Sequence, residues 1–169
     1  TKWIALATVV AGAGLAVLAL LPSGLVGMTN TNLKPSIHKV PPEVIPVVQE
    51  VLANAPPRGT VLAPETVSSW LPVWEDHPAL VYTRRLYFEH NAQTVGRERL
   101  APRKLLAEWI NGGSGHAADN ILDALARLDT RLIVIPAYDR LPSVDNILEQ
   151  SEKEFIGSVG PYEVYRISP

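Results

Sequence analysis

Nineteen consecutive residues, Trp3 to Leu21 (WIALATVVAGAGLAVLALL), carry no charge and a single hydroxyl, that of Thr8. As an α-helix this stretch would be roughly 28 Å long, close to the roughly 30 Å hydrocarbon core of a bilayer. The uncharged zone continues to Leu33, between Lys2 and Lys34, which leaves room for tilt. Its many Ala and Gly residues suit close packing against other membrane helices, whereas a buried core helix usually keeps a polar stripe. A secretory signal peptide is the other alternative, but its apolar core is shorter, with a basic segment before it and a small-x-small cleavage site after it. Only Lys2 precedes the stretch here. The expected organisation is therefore a transmembrane helix within residues 1–27, a linker over 28–40 and a soluble domain over 41–169. Because the chain begins with Thr1, the span is expected to be the last one of a longer, polytopic protein.

The residues after Leu33 are enough for one domain with its own core. They hold fourteen of the fifteen Lys and Arg and all seventeen Asp and Glu, a net charge of −3. That balance does not point to nucleic acid. The absence of Cys excludes disulfides, thiol chemistry and Cys-ligated zinc. The four His, at 38, 77, 90 and 116, are widely separated and form no HExxH or HxH pair, so no metal site is assigned.

Periodicity places the elements. Val44, Ile45, Val47, Val48, Val51 and Leu52 recur at spacings of three and four after Pro41 and Pro42, which predicts an amphipathic helix to about Asn54. Thr60 to Ala63 is a short β-branched run suited to a buried parallel strand. PETVSSWL then predicts a short helix ending at Pro72, and Ala79 to Thr83 a second strand. Arg84 to Ala101 mixes aromatics with charge and carries no clear period. Pro102 to Ile110 reads as a helix ended by Asn111 and Gly112. His116 to Leu128 has an apolar face of Ala118, Ile121, Leu122, Leu125 and Leu128. Arg131 to Pro136 (RLIVIP) is the strongest strand. Leu141 to Gln150 predicts a helix with Ser143 as N-cap, and Glu154 to Ser158 and Tyr162 to Ile167 a hairpin. The expected fold class is α/β, a small Rossmann-like sandwich with a mainly parallel sheet and an antiparallel C-terminal hairpin.

In open α/β sheets, ligands bind at the carboxyl ends of parallel strands. Glu65 follows the first strand, Arg84 and Arg85 the second, and Asp139 the third. These four are the candidate rim for a sugar or a phosphate. The alternative is that Glu65 caps a helix N-terminus and the arginines form a solvated turn. GGSGH, at Gly112 to His116, has His where a nucleophile elbow needs Gly, and it follows a helix rather than a strand. It reads as a helix end and linker. Trp70 and Trp74 are open to core packing, sugar stacking or a membrane interface, with core packing preferred. No set of nucleophile, base and orienting group is present. No catalytic residue, metal or cofactor is assigned.

The run PPEVIPVVQEVLANAPPRGTVLAPETVSSWLP, the strands ending in LVYTRR and RLIVIPAYDR, and the closing EFIGSVGPYEVYRI hairpin together resemble the C-terminal part of bacterial polytopic membrane proteins. These are similar to glycosyltransferases of the membrane-embedded C superfamily. In such proteins a small extracytoplasmic α/β domain closes with a strand matched here by Tyr162 to Ile167. The resemblance implies that catalysis depends on an acidic residue in the first outer loop of the full protein, to which no position here corresponds. The segment would then be an accessory domain on the outer side of the bacterial inner membrane. Its implied partners are the bilayer, upstream transmembrane helices of the same protein, and a polyprenyl-phosphate sugar or glycan acceptor. The alternative is a membrane-anchored or secreted module that binds a glycan or an envelope component.

Overall fold

Residues Thr130–Pro136 form the strand with the most deeply buried centre: Leu132, Ile133, Val134 and Ile135 are all 0% exposed. A strand turns successive side chains to opposite faces, so four buried residues in a row require cover on both sides of the sheet. The computed structural model describes residues 40–138, 140 and 142–168. The expected membrane span and most of the expected linker lie outside the described residues. Among those described, no helix is long and apolar enough to cross a membrane.

The chain enters through α1 (Ile45–Ala53) and passes to β1 (Thr60–Leu62), α2 (Glu65–Ser68) and a 3-10 turn at Leu71–Val73. Next come α3 (Tyr87–Val95), α4 (Arg97–Ile110), α5 (Ala118–Arg127) and β2 (Thr130–Pro136). The order finishes with α6 (Pro142–Gln150), β3 (Glu152–Val159) and β4 (Tyr162–Ser168). The strands lie in the order β1-β2-β4-β3. One face is covered by α1, Val67 and Leu71, packed on Val61, Leu132, Val134 and Val164. The other is covered by α4, α5 and α6, packed on Leu62, Ile133, Ile135 and Ile167. The result is an α/β sandwich in which β4 feeds both cores, Tyr162 and Val164 to one side and Ile167 to the other.

The sheet is mixed, where a mainly parallel one was expected. β1 and β2 pair in parallel, while β4 pairs antiparallel with both β2 and β3. The reason is that α6 returns β3 parallel to β2, and the tight turn at Gly160 and Pro161 then folds β4 back into the place between them, leaving β3 as the edge strand. The strand expected over Ala79 to Thr83 is reduced to one bridge, Leu80 to Val61. Arg103, on α4, sits at the truncation: its guanidinium donates to the carbonyls of Leu80 and Val81, and the Val81 carbonyl is the acceptor that the next rung with β1 would use.

Helix boundaries differ in two informative places. α4 begins at Arg97, five residues before the expected start, and carries Pro102 inside it at the loss of one backbone hydrogen bond. α6 begins with Pro142, so Ser143 sits within the first turn and is not its N-cap. Trp70 and Trp74 pack half-buried against the α1-side core, the preferred reading of that pair.

The start of the β1–β2 pair depends on Gly59. Its φ is +93°, and a Cβ built there would lie 2.5 Å from the Asp129 carbonyl oxygen and 2.6 Å from Arg131 Cγ. Gly115 shares the positive φ, at +86°, but faces open space. Gly59→Ala is expected to lower stability by about 2–3 kcal/mol and Gly115→Ala by about 1 kcal/mol. Denaturant unfolding of the two variants checks this, and equal losses would show that the close approach to β2 contributes nothing.

Candidate functional site at the carboxyl ends of β1 and β2

β1 runs out into Ala63 and Pro64, and β2 into Ala137 and Tyr138. Two cross-links hold these exits in place. Asn111, just past the end of α4, accepts a hydrogen bond from the Glu65 backbone N–H at 2.9 Å, satisfying a donor that the first turn of α2 leaves free. The Ala137 N–H donates to the Pro161 carbonyl at 2.8 Å, fastening the end of β2 to the β3–β4 turn. Between the exits lies a cavity of about 300 Å³, with Pro64, Thr66, Trp109, Asn111, Tyr138 and Arg140 among its walls.

The polar groups around it are largely engaged. Asn111 Nδ2 donates to the Tyr82 hydroxyl and to the Ala107 carbonyl. The Thr66 and Tyr162 hydroxyls are hydrogen-bonded at 2.9 Å. Arg140 makes ion pairs with Asp145 at 2.8 Å and Glu163 at 2.6 Å, and the Tyr165 hydroxyl donates to the same Glu163 oxygen at 2.7 Å. Burial by itself would lower the Arg140 pKa, but Glu163, Tyr165 and Asp145 outweigh it and hold the guanidinium above its ordinary value. One wall residue departs from this pattern: the buried indole N–H of Trp109 has no hydrogen-bond partner among the described residues. Tyr138, by contrast, is 75% exposed.

Of the four rim residues expected from the sequence, two meet. Arg85 Nε donates to Glu65 Oε2 at 2.7 Å, and that bond raises the Arg85 pKa. Glu65 is not itself a cavity wall, although its neighbours Pro64 and Thr66 are. Arg84 is exposed and lines a separate groove beside α3. Asp139 lies outside the described residues, while Tyr138 and Arg140 on either side of it are wall residues. Sequence reasoning missed Trp109, Asn111, Tyr138 and Arg140. The first two read as the apolar face and the stop signal of a helix. Tyr138 and Arg140 had a usable signal, their place directly after the strongest strand.

The chemistry follows from charge and surface. Arg140 carries two carboxylates, so among the described residues the cavity offers no free cation for a phosphate. Among the described residues no three His, Asp or Glu side chains are grouped to hold a metal. What remains is apolar and aromatic wall, with the Asn111 amide already engaged and the Trp109 N–H as the one buried side-chain donor without a partner among the described residues. Such a recess suits a neutral ligand with a hydrophobic face and hydrogen-bonding oxygens. Comparison of the chain with protein-family models, with curated proteins and with solved structures finds no match.

Tyr82 gives the rim a measurable pH signature. Burial, opposed by hydrogen bonds from Asn111 and Ser68, pushes its phenol up from 10.0 to about 12. The folded pKa lies above the unfolded one, so the associated stability is complete below pH 10 and is lost as pH rises towards 12. Unfolding free energies measured across that window are expected to fall by about 2–3 kcal/mol. Tyr82→Phe should remove this part of the alkaline loss. An identical alkaline slope in the variant would place the effect elsewhere.

Proposed function

We propose that this segment is the extracytoplasmic accessory domain of a membrane-embedded, glycosyltransferase-like protein, and that its rim cavity holds a neutral sugar unit of the glycan handled by that protein. Catalysis then belongs to parts outside these residues, and the domain selects or orients substrate. The observation that carries the sugar assignment is the exposed Tyr138 ring on a cavity also lined by Trp109, whose buried indole N–H is unpartnered among the described residues. An aromatic face stacks on the C–H face of a sugar, and a buried donor gains most from a hydroxyl acceptor because leaving it unmade is costly. The two carboxylates on Arg140 favour the sugar over an attached phosphate. The membrane and glycosyltransferase parts of the reading are supported by the uncharged stretch Trp3 to Leu21 and by the resemblance of the element order. The closing strand that carries the resemblance, Tyr162 to Ile167, is β4, which completes both cores.

A membrane-anchored or secreted glycan-binding module would use the same cavity. The two differ in what precedes Thr1 in the gene: several further spans support the glycosyltransferase-like protein, and a nearby start codon supports the module.

The binding test uses the full chain in phospholipid nanodiscs, free of sugar-based detergents, titrated with neutral oligosaccharides while tryptophan fluorescence is followed. A saturable response is expected. Tyr138→Ala should weaken it roughly tenfold, equivalent to about 1.4 kcal/mol, and Trp109→Phe should weaken it with the fold retained. Absence of any saturable response, or unchanged affinity in Tyr138→Ala, would remove the sugar assignment.

A further inference from the structure

The helical hairpin beside the β1 edge of the sheet has a surface unlike the rest of the domain. Residues 84–104 carry six basic side chains against Glu89 and Glu98, whereas the remainder of 40–168 carries six basic side chains against fifteen acidic ones. The same segment exposes Leu86 (61%), Tyr87 (43%) and Val95 (43%). Single exposed apolar residues are ordinary, but Tyr87 and Val95 lie two turns apart on one side of α3. With Arg84 and Leu100 they line a groove of about 380 Å³. Arg84, Arg97 and Arg99 are exposed and make no ion pair with any described residue. A basic, shallow, partly aromatic surface on an otherwise acidic domain is electrostatically matched to anionic lipid headgroups, with its apolar side chains placed to enter the boundary between headgroups and acyl chains.

We infer that the α3–α4 hairpin docks the domain on an anionic lipid surface, with Arg84, Arg97 and Arg99 against the headgroups and Tyr87 and Val95 inserted beneath them. This rests on the reading of Trp3 to Leu21 as a membrane span, which would place a bilayer within reach of the tether formed by residues 28–40. Docking holds the β1 edge of the sheet down. The opposite edge, β3, stands three strand spacings away, roughly 14 Å, beyond the roughly 5–10 Å depth of an interfacial contact.

The cysteine-free sequence makes the test direct. Val95→Cys and, on β3, Phe155→Cys are each labelled with an environment-sensitive fluorophore, and the full chain is reconstituted into vesicles of phosphatidylcholine alone or with about one third phosphatidylglycerol. Both vesicle types contain a lipid-borne quencher. The Val95 probe is expected to be quenched in the anionic vesicles and much less in the neutral ones, with the Phe155 probe unaffected in both. Arg84→Gln with Arg97→Gln and Arg99→Gln should reduce the anionic enhancement, roughly fivefold in the docked ratio for each charge removed. Equal quenching at Val95 in the two lipids, quenching at Phe155 to the same extent, or no effect of the triple variant overturns the inference. A Val95 signal that instead scales with protein density would assign the groove to a second copy of the chain. Alkaline extraction of the same vesicles reports separately on the span. If the chain is released, the span reading falls, and flotation of added full chain with anionic against neutral vesicles then decides the docking surface alone.

Discussion

Burial of β2 on both faces is the constraint from which the rest of the architecture follows. Four consecutive side chains, Leu132 to Ile135, lose all contact with water, and each contributes about 1.5–3 kcal/mol by that burial. No single layer can supply it. The chain must put α1 with the α2 segment on one side and α4, α5 and α6 on the other, and every other strand is placed relative to this one. β1 joins it in parallel because four helices, α2 to α5, intervene between them and give the length for a crossover. α6 returns β3 in the direction of β2, and the tight turn after β3 then reverses β4, which fills the place between them antiparallel to both.

The cavity is a consequence of how the two-sided core ends. Past the last buried residues of β1 and β2 the backbone must find partners outside the ladder, and it finds them in Asn111 and the Pro161 carbonyl. Those cross-links draw the end of α4 against the strand exits and leave a recess between them. Arg103 acts similarly one edge further out, taking the Leu80 and Val81 carbonyls where the sheet ends after a single bridge. Side chains of α4 thus close the sheet edge, fill the core and wall the cavity. The Trp109 indole belongs to the second and third of these roles.

Two surfaces then divide the proposed work of the domain. The rim cavity, neutralised at Arg140 by Asp145 and Glu163, suits an uncharged ligand. The α3–α4 hairpin, basic and apolar, suits an anionic sheet of headgroups. A domain that must present a sugar close to a bilayer needs both properties and needs them on separate patches. A free cation in the cavity would favour phosphate, and an acidic hairpin would be repelled by the headgroups.

The repeating patterns of the chain were readable without coordinates. The period of α1, the apolar face of α5, the uninterrupted run of β2 and the alternation of β4 each depend on residues within a few positions of one another, and local spacing is what determines them. The α/β class follows from those patterns. What tertiary structure decided was pairing and convergence. Nothing in Tyr162 to Ile167 says that the strand inserts between β2 and β3. Nothing near Asn111 says that its amide caps a helix 46 positions earlier. Arg103 could not be read as the residue that sits where a strand is cut short, nor Arg84 as one that parts from Arg85 to line a different groove. Local periodicity reports which face of an element is apolar, whereas a site is made by side chains that only the closing of long loops around a shared core brings within a few ångströms.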